Sequence, residues 1–365
     1  MTGRERIRAI LNRQPRDRLA WTTLADDVTR SVMPRKFRDM PLLEFYREIG
    51  CDVMMFGNWG LPSGAEVVSP VRWVSPAKTT WTTSGPASEW VRESRWGSLT
   101  ARFHRGHPTK YPVTTRDDLR VLFEICRDTC VEDLDSDEPE KSYDRAENAI
   151  GDAGLYFETT GPSPVQQLIE MDMGLETFYY FLADHAAEMA NLLAAMHELR
   201  KREYDIIARR SRAECVIPVE NTSSTLTSPA VYREWSLPQI SDYVRILHAG
   251  KKKVVLHMCG KLKNLLPEIG ETGADGINAL TPPSIGDCTI ERAMDALGED
   301  LVILGGILPG FQDPGATPGS IKADLDRLFT PRVRSSNLLL WAPADGLDTP
   351  IERFLAVREW FEDQV

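Results

Sequence analysis

The sequence predicts a (β/α)8 barrel. Eight short apolar runs recur along the chain, at 19–24, 51–56, 155–159, 214–219, 253–256, 275–280, 301–304 and 337–341. Several are nearly continuous in Val, Ile, Leu and Met, which is the composition of parallel strands covered on both faces. Helical patterns lie between most of them. Strand then helix, repeated eight times, implies a parallel sheet closed on itself, and 365 residues suit one such barrel with an insertion.

The elements can be taken in order. Thr2 and Glu5 have capping-box spacing, and Ile7, Ile10 and Leu11 form an apolar stripe, so the chain opens with an amphipathic helix. The missing apolar core argues against a signal peptide. Helices are expected over 41–49, 164–181, 184–209, 263–271, 289–297, 320–329 and 350–362. Another runs from Pro229 to about 247, with Ser228 as its N-cap. Residues 58–150 break the pattern and form an insertion after the second strand. Its 65–115 stretch, rich in Ser, Thr, Pro, Trp and Arg, alternates as β-hairpins do. The charged stretch 132–147 reads as a solvated loop leading into a helix.

Composition limits the partners. A formal net charge of −11 gives no bulk attraction for nucleic acid or anionic membranes. No run approaches the roughly 18 apolar residues of a membrane span. Six scattered cysteines suit reduced thiols better than a disulfide framework, so a cytoplasmic location is expected. Neither a Rossmann fingerprint, a Walker loop nor a Gly-x-Ser-x-Gly elbow occurs. Oligomeric state is open, a homodimer included.

In a barrel, chemistry sits on the loops after the strands. The sharpest feature there is Val254-Val255-Leu256-His257-Met258-Cys259-Gly260, at the end of the fifth strand. Residues two apart on a strand face the same side, so His257 and Cys259 can both point into the mouth. Imidazole with thiolate is a borderline-soft pair that suits zinc; the bland alternative is a core histidine beside an inert cysteine. Glu220, after the fourth strand, reads either as a further zinc ligand or as a carboxylate that braces a loop or meets substrate. Glu158, Asn278, Asp26, Asn58 and Trp59 stand at other strand ends as candidate substrate contacts. The remaining histidines, His104, His107, His185, His197 and His248, fall in the insertion or on helices. Cys126 and Cys130 have helical spacing and no partner pair.

His257-x-Cys259-Gly260 after an apolar strand resembles the uroporphyrinogen decarboxylase superfamily, and within it the zinc- and corrinoid-dependent methyltransferase branch. Thr2-Gly3-Arg4-Glu5-Arg6, Arg95-Trp96-Gly97-Ser98-Leu99-Thr100 with Tyr111-Pro112-Val113, Thr227-Ser228-Pro229, and Gly298-Glu299-Asp300 with Gly305 resemble other family segments in the same order. The resemblance implies a zinc ion acting as Lewis acid, with His257 and Cys259 among its ligands. It also implies a third ligand, a cysteine, in an Ala-Pro-Gly-Cys-Gly stretch after the eighth strand. Here that stretch reads Ala342-Pro343-Ala344-Asp345-Gly346, so Asp345 is either an oxygen ligand in the cysteine's place or a loop aspartate. A carboxylate hardens the site and favours oxygen substrates such as a methyl ether.

Uroporphyrinogen decarboxylase itself carries an Arg-Gln-Ala-Gly-Arg segment after the first strand. This chain has Ala25-Asp26-Asp27-Val28-Thr29-Arg30, which disfavours that activity. The expected function is methyl transfer between a small substrate and a corrinoid carried by a partner protein, since no Asp-x-His-x-x-Gly cobalamin segment is present. The alternatives are a decarboxylase or lyase of the same fold, or a barrel that binds a tetrapyrrole or corrinoid without turnover.

Overall fold

Alternation of side chains along eight parallel strands organises the molecule. The structure, a computed structural model, describes residues 1–344 and 346–364. The barrel strands are β1 (Ala20–Thr22), β2 (Val53–Phe56), β3 (Gly154–Thr160), β4 (Cys215–Pro218), β5 (Lys253–His257), β6 (Gly276–Asn278), β7 (Val302–Ile307) and β8 (Asn337–Trp341). Each falls on one of the eight apolar runs. They pair in parallel in the order β1-β8-β7-β6-β5-β4-β3-β2, which is the predicted barrel, nearly closed. Between β1 and β2 no ladder forms. The seam is held by the Asp52 N–H donating to the Trp21 carbonyl at 2.8 Å and the Met54 N–H donating to Thr22 Oγ1 at 3.3 Å.

One set of alternating residues fills the barrel. Ala20, Met54, Leu155, Phe157, Cys215, Ile217, Val255, Val302, Leu304 and Leu339 form a single interior cluster. Ile7, Ile10 and Leu11 belong to it as well. The opening helix (Gly3–Leu11) therefore plugs the N-terminal end of the barrel with the stripe read from the sequence, and its Thr2/Glu5 capping box is formed. The other set, including Val53, Val216, Val254, Leu256, Met258, Ile277, Ile303 and Leu338, packs outward against the helices.

The plug is also held by charge. Asp52, buried beside the seam, accepts from Arg6 and from Arg18, the latter at 3.0 and 3.1 Å. Arg6 reaches on to Asp17 at 2.8 Å. One carboxylate thus ties the plug helix, the approach to β1 and the start of β2.

Two departures from the expected elements bear on the site. The helix expected over 164–181 is broken: Pro164–Gln167 is α-helical, Leu168–Asp172 winds as a π-turn, and a new helix runs Leu175–Asp184. Gly174 sits between them at φ 73°, with Tyr111 so close that a Cβ would lie 2.6 Å from its ring. In the insertion, the hairpins form a four-stranded antiparallel sheet (Lys78–Ser84, Ala87–Ser94, Gly97–His104, His107–Lys110). A helix at Arg116–Asp128, capped by Thr115 and Asp118, and a strand at Cys130–Asp133 pairing with Val71–Val74 were not expected. Cys126 and Cys130 therefore sit on different elements. The charged stretch enters its helix at Glu138, and that helix runs to Ile150. The sheet packs through Trp90, Leu99 and Ala101 on a second core with Leu122, Phe178 and Leu192. No helix among the described residues is long and apolar enough to cross a membrane.

Removing one partner of a buried ion pair strands the others, at about 3–5 kcal/mol. Asp52→Ala is therefore expected to lower the unfolding free energy by about 3 kcal/mol in a denaturant titration. Asp17→Ala, which removes a half-exposed partner of the same network, should cost under ~1 kcal/mol. Equal losses for the two would refute the seam as the point the plug depends on.

Candidate active site

The register of β5, β6 and β7 builds the centre of the site. His257 is paired with Asn278, and Asn278 with Leu304, across three adjacent strands. The Asn278 Nδ2 donates to the Leu304 carbonyl at 2.5 Å, so its Oδ1 turns towards the imidazole. His257 Nδ1 lies 2.5 Å from that oxygen and must carry the proton. The tautomer is thereby set, and Nε2 is the basic nitrogen. A histidine whose second nitrogen is held by a buried amide is arranged as metal-ligating histidines are. Asn278 is fully buried with its amide committed on both sides, which makes it a positioning residue for His257.

Cys259 follows on the same side of the chain. Met258 between them is buried in the outer core and pins the segment. The Cys259 Sγ is 3.7 Å from Asn221 Oδ1, and the residue is exposed at the mouth. Crowding by the loop walls nevertheless raises the thiol's pKa, and the nearby Glu170 adds to the rise. The side chain is thus a thiol at neutral pH unless a cation draws off its proton.

A polar wall missed by sequence reading stands beside Cys259. Asn221 takes φ 45°, a left-handed conformation that asparagine tolerates, and its Nδ2 reaches Glu170 Oε2 at 3.5 Å. Gln166 Nε2 donates to Glu170 Oε1 at 2.8 Å. Burial raises the Glu170 pKa. Glu170 lies on the π-turn, a feature frequent at functional sites.

The floor of the mouth is apolar. Leu24, Ala279 and Trp341 pack together with Phe56 and Ile307. Phe56 stands 5.6 Å from the His257 ring, tilted by 53°. Gly305, at φ 74° in the bulge of β7, makes room for this layer; a Cβ there would lie 3.0 Å from Trp341 and 3.1 Å from the Asn278 amide.

The remaining expected residues lie elsewhere or are committed to the fold. Glu220 has the outward parity of Val216. It is fully buried and accepts from the Ser163 N–H at 3.0 Å and the Ser163 hydroxyl at 2.6 Å. It braces the loop after β3, one of the readings its place in the sequence leaves open. Glu158 also faces outward and accepts from Ser211 at 2.9 Å, away from the mouth. Asp26 caps the helix Asp27–Arg30, accepting from Thr29 N–H at 2.7 Å, and accepts from Gly346 N–H at 3.0 Å, latching the loops after β1 and β8. Asn58 uses its amide to hold both backbone groups of Val67. Trp59 lines a cleft of about 430 Å3 with Asp26, Arg30, Leu42 and Leu61, whose lining includes neither His257 nor Cys259. Asp345 lies outside the described residues. Among the described residues no three His, Cys, Asp or Glu side chains converge as a metal-binding group.

A family model, uroporphyrinogen decarboxylase (URO-D), matches residues 164–350, just over half of the chain. The chain belongs to that family. Among solved structures it is similar to a methyltransferase from Methanosarcina mazei, at 14% identity and a TM-score of 0.60, covering 100% of this chain and 99% of that one. At that identity the likeness shows the fold alone. A second similarity, to a structure of the tandem GH20 catalytic modules of a pneumococcal exo-β-D-N-acetylglucosaminidase, has 10% identity, a TM-score of 0.34 and coverage of 62% and 63%. It is too slight to carry an argument. No curated protein matches the chain by sequence.

Burial pushes Glu220 up from its ordinary value of 4.5 to about 7. The folded state therefore holds this proton more tightly than the unfolded chain does. The resulting stability is complete below about pH 4.5 and is lost as the pH rises through about 7. Glu220→Gln keeps the bonds to Ser163 without the charge. It should raise the unfolding free energy at pH 8 by up to about 3 kcal/mol and change little at pH 4. A loss at both values would refute the assignment.

Proposed function

We propose that this chain is a methyltransferase whose mouth holds a zinc ion on His257 and Cys259, and which exchanges a methyl group between a small substrate and a corrinoid on a separate protein. The reading is carried by the His257–Asn278–Leu304 relay, which orients one imidazole at the mouth with a thiol two residues on. The donors fit zinc in kind, being one nitrogen and one sulfur. Asp345 is the third donor in this proposal, and a methyl ether the favoured substrate. When bound, zinc supplies Lewis acidity towards a substrate oxygen or sulfur.

The chain's own residues do the rest. Asn278 fixes the imidazole tautomer and so presents Nε2 as the ligating nitrogen. Glu220 and Asn221, through their N–H groups, hold the His257 carbonyl at 3.1 and 3.0 Å, so the end of β5 cannot swing. The apolar floor gives the reacting centre a low-polarity surround.

Two further observations support the proposal. Val28, Val32, Trp59, Ile285 and Leu347 are exposed apolar side chains on the loops after β1, β2, β6 and β8. Such side chains at an open barrel end suit a docking protein. Arg30, the cation after β1 that a polycarboxylate would need, is instead turned to the Phe37 and Met40 carbonyls and Asp27. That weighs against the decarboxylase.

Metal analysis tests the proposal. The purified protein should carry about one equivalent of zinc, absent from His257→Ala and Cys259→Ala. Asn278→Ala should bind zinc roughly 10–100-fold more weakly. With Co(I) corrinoid, only the zinc-loaded protein should demethylate an ether. Folded protein that takes up no zinc would overturn the reading.

A further inference from the structure

One buried polar atom in the mouth is unused by the site described above. Trp341 is 7% exposed, and among the described residues its indole N–H meets no acceptor. A buried donor without a partner is costly, and native structures rarely leave one so. Trp341 has the inward parity of Leu339, so its ring lies in the mouth layer with Leu24 and Ala279. A Cβ on Gly305 would lie 3.0 Å from Cε3 of this ring, so that edge of the indole faces β7. Nε1 is on the opposite edge of an indole, so the N–H is turned away from β7, across the floor.

We infer that Trp341 is a substrate-binding residue whose indole N–H donates to an oxygen of an uncharged, largely apolar molecule resting on Leu24, Phe56 and Ile307. The inference rests on reading the mouth as the substrate site, but needs neither the metal nor the corrinoid. Phe56, His257 and Ile307 are half-buried, so the floor is reachable from solvent. No floor side chain bears a charge, and a charged group seated there would lose its hydration without gaining a partner. One donor in an apolar surround selects for one acceptor, because the donor stays unsatisfied with any ligand lacking it.

Calorimetric titration with guaiacol and with toluene tests the assignment on the full chain, with no turnover. The wild type should bind guaiacol, and Trp341→Phe, which keeps an aromatic ring and loses the N–H, should bind it roughly 10-fold more weakly. Toluene affinity should be the same in both, and zinc content should not change. A second measurement needs no variant. Of the nine tryptophan indole N–H resonances, one should move downfield with guaiacol and none with toluene. Equal guaiacol affinity in wild type and variant, no guaiacol binding, or no such resonance would each overturn the assignment. Loss of methyl transfer with guaiacol binding intact would instead count against the proposed reaction alone.

Discussion

Parity along parallel strands decides which side chains of this protein can meet. Once the barrel is closed, each strand residue faces either the interior or the helices, and nothing between is available. His257 shares the parity of Val255 and enters the mouth. Glu220 shares that of Val216 and is taken up by Ser163 behind the wall. Two residues that look equally able to bind a metal are thus separated by a single step of the chain.

The same constraint explains what could be read from the sequence. Eight apolar runs, the capping box at Thr2 and the stripe of Ile7, Ile10 and Leu11 carry the fold, because burial on both faces leaves an unmistakable apolar signature. That signature also hides the parity. A strand apolar on both sides shows no alternation, so Glu158 and Glu220 look like mouth residues until the register is known. The pair His257 and Cys259 needs only relative spacing and is legible without it. Asn278 was found as a strand-end amide, but its role depends on facing both His257 and Leu304, which only the strand pairing supplies.

Other parts of the site leave no pattern in the sequence. Glu170 and Gln166 lie in what looks like an uninterrupted helix, and the π-turn at Leu168–Asp172 has no compositional mark. The helix Arg116–Asp128 is hidden for a different reason. Its apolar face, Leu119, Leu122 and Ile125, is diluted by charges and set among hairpins, where a strand reading comes first. Its Thr115–Asp118 capping box was the available signal.

The relay from His257 to Leu304 runs across strands, whereas Cys259, Asn221 and Glu170 are carried by successive loops and a helical turn. The two halves of the site meet at the His257 carbonyl, which accepts from the Glu220 and Asn221 N–H groups. Replacing the loop after β3 with that of another family member would change the wall and leave the imidazole in place, held by Asn278 and the register of β5 to β7. The barrel can in this way accept new surroundings for one fixed nitrogen, which makes it a scaffold for grafting as much as a finished site.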